Sequence, residues 1–410
     1  MGHNKYLKGE APVSTEIQST KQAISCRDLA LTFLKLGSIG FGGGMAMIAL
    51  MEHEFVGKRQ IMKSEEFLHG VGLGQLLGPF AVNTAFFIGY REQGAVGGLL
   101  SAFSFMFPSF ILTIVLSWLY FAYHALPALQ GVVSGLGPVV IALIISAAWT
   151  MGKKALRSWP TAVLAMLATI ASLYRASPVT VLVVAGVVGL ALGKRRLSGG
   201  KPGKAASSPP LPKEKKATRS GFAAWGISAQ GLSTAGAVSL SQLGLVFLKV
   251  GLVFFGGGFV LIPVLHQTLV ENLHWLNSQE FIDGIAISNL TPGPISVLAT
   301  FAGYRMLGIT GAIVATAAMF LPAAILMFIL CHQYERLKSG TKVQDFLAGV
   351  VPAVIGMILS AAVLLSKDTL HSWQSYALSA VSLLLLVRWR LHPIFVLALG
   401  ALARATSILR

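Results

Sequence analysis

The chain is short of charge, and of acid above all. Its 410 residues include 15 Asp and Glu against 32 Lys and Arg, and charged residues total 11%. Ordinary globular domains carry about a quarter. So few charges could not cover the surface of a soluble fold of this length, so a water-soluble protein is excluded. Cysteine is scarcer still: Cys26 and Cys331 stand far apart and imply neither a disulfide framework nor a metal site. No nucleotide loop of the form G-x-x-x-x-G-K-[ST] occurs, since Gly200-Lys201 and Gly203-Lys204 lack the upstream glycine and the following hydroxyl. That argues against direct ATP drive. His53-Glu54 has no second histidine four residues on, so the zincin pattern is absent too. The first 27 residues are polar and lack a signal-peptide core, which leaves targeting to the spans themselves.

What is abundant is apolar sequence: 54% hydrophobic residues and a mean hydropathy of +0.72. The apolar runs approach spanning length and are continuous rather than alternating, which argues for an all-α polytopic membrane protein and against a β-barrel. Many of the 44 glycines and 17 prolines lie inside those runs. Bilayer helices tolerate such breaks where protein or a water-filled cavity satisfies the freed backbone. The formal charge of +17 is concentrated, because nine basic residues between Lys194 and Arg219, with Glu214, net +8. A cytoplasmic loop beside a span accounts for that charge without nucleic acid.

A shift of 214 positions aligns the chain with itself. Phe33-Leu34-Lys35 falls on Phe247-Leu248-Lys249, Gly42-Gly43-Gly44 on Gly256-Gly257-Gly258, and Glu66-Phe67 on Glu280-Phe281. Gly89-Tyr90-Arg91 falls on Gly303-Tyr304-Arg305, and Gly94 and Gly97 on Gly308 and Gly311. The sequence therefore divides into a polar tail (1–27), a first membrane repeat (28–193), a basic flexible linker (194–241) and a second membrane repeat (242–410).

Each repeat has six apolar segments, in the first near 29–51, 67–90, 95–123, 131–151, 160–174 and 178–193. The second segment is broken, at Gly78-Pro79 and at Pro292-Gly293-Pro294, and is either one span or a re-entrant pair of half-helices. Basic residues arbitrate. With the linker inside, six true spans put six basic loop residues inside and nine outside. A re-entrant second segment inverts the repeats and puts twelve inside against three, and we adopt it. It places the N-terminal tail, with Lys5, Lys8, Lys21 and Arg27, outside.

Inverted repeats with broken segments are a secondary-transporter design, with the substrate near the midplane at half-helix ends. Helix N-termini suit anions there. Lys35 and Lys249 occupy the same position in the first segment of each repeat, and either face a ligand or snorkel to the interface. Gln75, Gly78, Pro79, Asn83 and Thr84 surround the first break, and Asn289, Thr291, Pro292, Gly293, Pro294, Ser296 and Thr300 the second. These patches read either as an oxyanion cradle or as kinks packed through small residues. Arg91 and Arg305 either bind anion or anchor at the interface; Glu66 and Glu280 are either proton-linked groups or helix-start carboxylates.

The paired F-L-K-x-G…F-G-G-G stretches, the P-G-P break and the G-Y-R with spaced glycines resemble the chromate ion transporter family, in its long two-domain bacterial form. The resemblance covers nearly the whole chain. It implies secondary transport of an oxyanion across the bacterial cytoplasmic membrane, with chromate extruded in resistant cells and sulfate as the structural analogue. Gly42–Gly44, Gly256–Gly258 and Pro292-Gly293-Pro294 match its motifs, whereas the first half reads Leu77-Gly78-Pro79-Phe80 and departs from them. The second half is thus the more family-like cradle. The expected partners are a chromate- or sulfate-like dianion and bilayer lipid, with a homodimer as an option, no nucleic acid and no cofactor. The rival functions are a sulfate-type uptake carrier, an anion channel, and a membrane-embedded metal-dependent reductase. The reductase would need convergent His, Cys or acidic ligands that the sequence does not display.

Overall fold

The computed structural model describes residues 24–40, 44–123, 127–156, 158–197, 238–253, 259, 261–333, 341–389 and 391–408. Among these there are fourteen α-helices and no strand. Local chemistry sets several helix starts. Ser25 caps α1 (Cys26–Ile39) by accepting from the Asp28 amide at 3.1 Å. Asn277 and Glu280 form a reciprocal capping box at α10 (Ser278–Leu290).

The first apolar segment is not a span. α1 runs inward, the chain breaks after Gly40, and α2 (Gly44–Glu52) with a π-helical turn (His53–Lys58) brings it back. The two limbs are side by side: Arg59 donates to Thr32 Oγ1 at 2.8 Å, and the rings of Phe33 and Phe55 stack at 4.9 Å. Fourteen residues of α-helix reach about 21 Å, short of the ~30 Å hydrocarbon core. Counting 29–51 as one crossing is therefore corrected to a re-entrant hairpin.

The second segment is re-entrant as expected. α3 (Ser64–Leu76) meets the start of α4 (Phe80–Tyr123) across a turn at Leu77–Pro79, where Gly78 takes φ +96°. Gly70 lies against the Phe87 ring and Gly74 against Thr84, as antiparallel limbs require. Although α4 is 44 residues long, it reverses at Gln93–Gly94, with Gly94 at φ +62°. Gly89 and Gly97 then touch backbone to backbone, so 80–92 is a half-helix and 95–123 a true span. The repeated G-Y-R-x-x-G-x-x-G is the code for this tight corner. In the second repeat α11 (Leu298–His332) turns the same way at Gly308, with Gly303 against Gly311.

The repeats run in opposite directions. α5 (Pro127–Ala155) and α12 (Thr341–Thr369) are equivalent helices, yet Gly137 near the start of α5 lies beside Thr369 at the end of α12. Outer helices are exchanged between repeats. α6 (Trp159–Leu173) and α7 (Pro178–Leu197) pack on α12, with Thr169 bonded to the Gly356 carbonyl at 3.1 Å and Gly189 against the Gly349 backbone. Reciprocally, α13 (Trp373–Val387) and α14 (Pro393–Ile408) pack on α5.

One face carries Lys58, Arg59, Lys63, Arg91, Lys153 and Arg388, the other Arg175, Arg305 and Lys367, which marks the first as cytoplasmic. α1 begins on that basic face, because Gln93 at the α4 corner donates to the Ile24 carbonyl at 2.7 Å. α1 thus begins on the inside, where the expectation had the chain before it outside; residues 1–23 themselves lie outside the described residues. Val96, Leu99, Phe103 and Phe107 form an exposed apolar stripe on α4, as a lipid-facing helix requires.

Candidate functional site

The hairpin tips from both faces meet in the middle of the molecule. Gly44, at the tip of the first hairpin, packs on the Phe80 ring at the tip of the second. The Gly40 carbonyl accepts from the Gly293 amide of the opposite repeat at 3.1 Å. Gly293 holds φ +126°, a conformation costly to any L side chain, and a Cβ there would meet Ser109 of the first repeat at 2.7 Å. Ser109 also donates to Thr291 Oγ1 at 3.3 Å.

Between the tips lies a cavity of about 80 Å³, enough for more than one water at ~30 Å³ each. Gly44, Pro79, Phe80 and Phe259 line it from three hairpins, with Ser288, Asn289, Thr291, Gly293 and Pro294 from the fourth. His392 and Pro393, at the start of α14, complete the wall. Neither a carboxylate nor a lysine or arginine lines it among the described residues. Its electrostatics come from the backbone. α2, α4, the 3₁₀ turn Ile295–Val297 that leads into α11, and α9 (Leu261–Leu265) all begin at tips, so the N-terminal ends of returning limbs converge. Helix starts of this kind carry N–H groups without intrahelical partners and a partial positive charge.

The expected residues sort into distinct places. Gly44, Asn289, Thr291, Gly293 and Pro294 line the cavity; Gly78 and Pro292 sit in the breaks. Asn83 is 3% exposed but turned to its own hairpin, donating to the Leu77 carbonyl at 3.0 Å, so it closes the turn. Arg91 pairs with Glu66, and Arg305 with Glu280 at 2.8 Å, one clasp at the mouth of each second hairpin and none in the cavity. Lys35 and Lys249 are both exposed, and neither reaches the cavity. Lys35 instead lines a separate hollow of about 340 Å³ at the mouth of the first hairpin, with Asp28, His53, Glu54, Lys58 and Arg59. There the hydrogen bond from Arg59, at 2.7 Å, holds the Glu54 carboxyl below its ordinary range despite partial burial, aided by Lys58, Arg59 and Lys35 charges. Gly42, Gly43, Gly256, Gly257 and Gly258, and the Gln75 side chain, lie outside the described residues.

Sequence reasoning missed Phe80, Phe259, Ser288 and His392. Ser288 sits next to Asn289 in the polar patch and was within reach of it. His392 has no counterpart at the repeat offset, where Pro178 stands, so the self-comparison carries no signal for it.

Opposed repeats whose broken helices enter from both faces and meet at a central cavity define a secondary membrane transporter. The chromate transporter profile matches residues 27–190 and 241–405. The chain is 31% identical to the probable chromate transport protein of Synechococcus elongatus over 367 residues, 88% of this chain and 90% of that one. It is 31% identical to the chromate transport protein of Cupriavidus metallidurans over 375 residues, 90% of each chain. It is 30% identical to that of Pseudomonas aeruginosa over 393 residues, covering 93% and 92%. No solved structure matches. The chain belongs to the chromate transporter family, as a multi-pass membrane transporter rather than an enzyme.

Proposed function

We propose that the protein carries chromate, or another tetrahedral oxyanion such as sulfate, across the bacterial cytoplasmic membrane by way of the central cavity, and that its working direction is efflux. The observation that carries this reading is the meeting of helix N-termini in a cavity with hydroxyl and amide walls and no described carboxylate. Such ends bind anions without a fixed side-chain charge. The names of the relatives favour chromate. Asn289 and Thr291 would hydrogen-bond the oxyanion, Gly293 would admit it close to backbone, and rocking of the inverted repeats would expose the cavity to each face in turn. Lys35 and Lys249, being outside the cavity, would act on the approach of the anion.

Radiolabelled chromate uptake into inside-out vesicles tests the reading, with sulfate as competitor. Accumulation that Thr291→Val and Asn289→Leu abolish is expected, while Lys249→Ala slows it mainly at low salt, where surface charge is least screened. Robust flux of another anion with none of chromate removes the substrate assignment. Full chromate flux in both cavity variants removes the site.

A further inference from the structure

We propose that Asp283 is the proton-carrying group of this transporter, binding and releasing the proton whose movement drives the anion. The proposal rests on the transport reading above and adds the coupling site. Among the described residues Asp283 is the only buried acid, with 1% of its surface exposed. None of the described cations pairs with it. Oδ2 accepts from the Tyr120 hydroxyl at 2.7 Å and Oδ1 from Gln279 Nε2 at 2.8 Å. Charging an acid in such a place costs desolvation that two neutral donors repay only in part, whereas the neutral acid avoids that cost. Glu66 and Glu280 do not meet the requirement, since each is committed to an arginine at a hairpin mouth.

The position suits coupling. Gln279, one turn earlier on α10, is exposed at the non-cytoplasmic face, so the carboxyl lies one turn from water. In the other direction, six residues of helix at 1.5 Å each put Asn289 and the cavity about 9 Å away on the same rigid limb. Tyr120 belongs to the span of the opposite repeat, so the Tyr120–Asp283 bond joins the two bodies that must move. When Oδ2 takes a proton, the bond reverses: the acid O–H donates and the tyrosine oxygen accepts. When the proton leaves, the hydroxyl donates again. The contact between the repeats thus registers proton occupancy.

The charged and titratable groups nearby are few. Glu280 neighbours Asp283 on α10 and is neutralised by Arg305 of α11. His266, against Phe281, faces Glu271, Asp368 and Arg175 instead. Neither a lysine nor an arginine of α5 or α12 bonds to the carboxyl among the described residues. At the equivalent place in the first repeat stands His69, which is exposed, so the proton site is single and the two repeats are functionally unequal.

The full-length protein in liposomes separates the possibilities. Chromate counterflow with equal pH on both sides needs the cavity but no net proton movement, whereas accumulation driven by an imposed pH gradient needs both. Asp283→Asn is expected to keep counterflow and lose gradient-driven accumulation, and Asp283→Glu to restore part of it. Tyr120→Phe, which keeps the carboxyl, is expected to shift the pH profile of driven flux without abolishing it. Undiminished driven accumulation in Asp283→Asn overturns the proposal. So does equal loss of both modes in a variant that elutes and melts as a folded protein. Absence of chromate counterflow in the unaltered protein would instead sink the transport reading itself.

Discussion

The corner between half-helix and span in each repeat makes a quantitative test of the fold. At Gly89 a Cβ would run into the Gly97 carbonyl, and at Gly97 into that of Gly89, both backbone atoms that cannot swing aside. Gly89→Ala must push the two helices apart, an overpacking cost of about 1–3 kcal/mol, and a larger side chain costs more. Gly94, in the same corner, fails differently: its φ is +62° but nothing lies within 4 Å of an added Cβ. There ψ is −154°, in a region essentially reserved to glycine, so the cost is conformational and independent of side-chain size, about 1–3 kcal/mol for alanine. Asparagine is tolerated only in the left-handed helical well, at ψ of about +45°, so it should recover little of that cost. Gly72 is a third case, exposed in the middle of α3 with open space around it, and Gly72→Ala should gain about 0.5–1 kcal/mol. Thermal unfolding of the purified variants in one detergent reads the order: Gly72→Ala highest, Gly94→Ala and Gly94→Asn both lowered by similar amounts, and Gly89→Leu below Gly89→Ala. Gly303→Ala should track Gly89→Ala, as its twin. A neutral Gly89→Ala, or a Gly94→Ala as harmless as Gly72→Ala, would refute the tight corner.

Other outcomes follow from single contacts. Asn277 caps α10, whereas Lys63 at the same repeat position makes no side-chain cap, so Asn277→Ala should cost about 1 kcal/mol in unfolding experiments and Lys63→Ala almost nothing. Glu54 is held below its ordinary carboxylate range chiefly by Arg59, so its contribution is present at neutral pH and lost as pH falls through that lowered value. Arg59→Gln should remove that contribution, visible as a smaller loss of thermal stability on acidification. Single cysteines at Arg27, Lys58 and Arg305 report sidedness: the first two should react with an impermeant thiol reagent only in inside-out vesicles, and the third only in right-side-out cells. Shared accessibility of Lys58 and Arg305 would defeat the inverted arrangement.

Much of this architecture was legible because the repeat exposes its own grammar. Proline beside glycine in Gly78-Pro79 and Pro292-Gly293-Pro294 announced the second hairpin. The basic-loop count reached inversion on five spans per repeat, whereas with the first segment also folded back it is the contact of Gly137 in α5 with Thr369 in α12 that displays it. The first hairpin stayed hidden for an arithmetic reason. Its limbs and glycine tip together measure about one membrane crossing, and glycine is neutral in hydropathy, so two half-length helices read as a single span. The same misreading counted Lys35 as part of a span, facing a ligand or snorkelling; once the segment folds back, it stands beside Lys58 and Glu54 at the hairpin mouth. Asp283 drew no notice because an acid near the start of a helix is commonplace. Only the crossing of α4 from the other repeat, bringing Tyr120 over it, makes the residue singular. No local signal announced that contact.

The exchange of outer helices also has a consequence in time. α6 and α7 are made early, but the helix on which they lie, α12, ends only at Thr369. While the ribosome works through the second repeat, those two helices must wait in the lipid with Gly186 and Gly189 facing no protein. Their closest neighbours, Phe346 and the Gly349 backbone, have not yet been synthesised. A nascent chain stopped after the first repeat is therefore a half-finished assembly with vacant seats, exposed to quality-control proteases. Completion of the molecule hinges on the last third of translation.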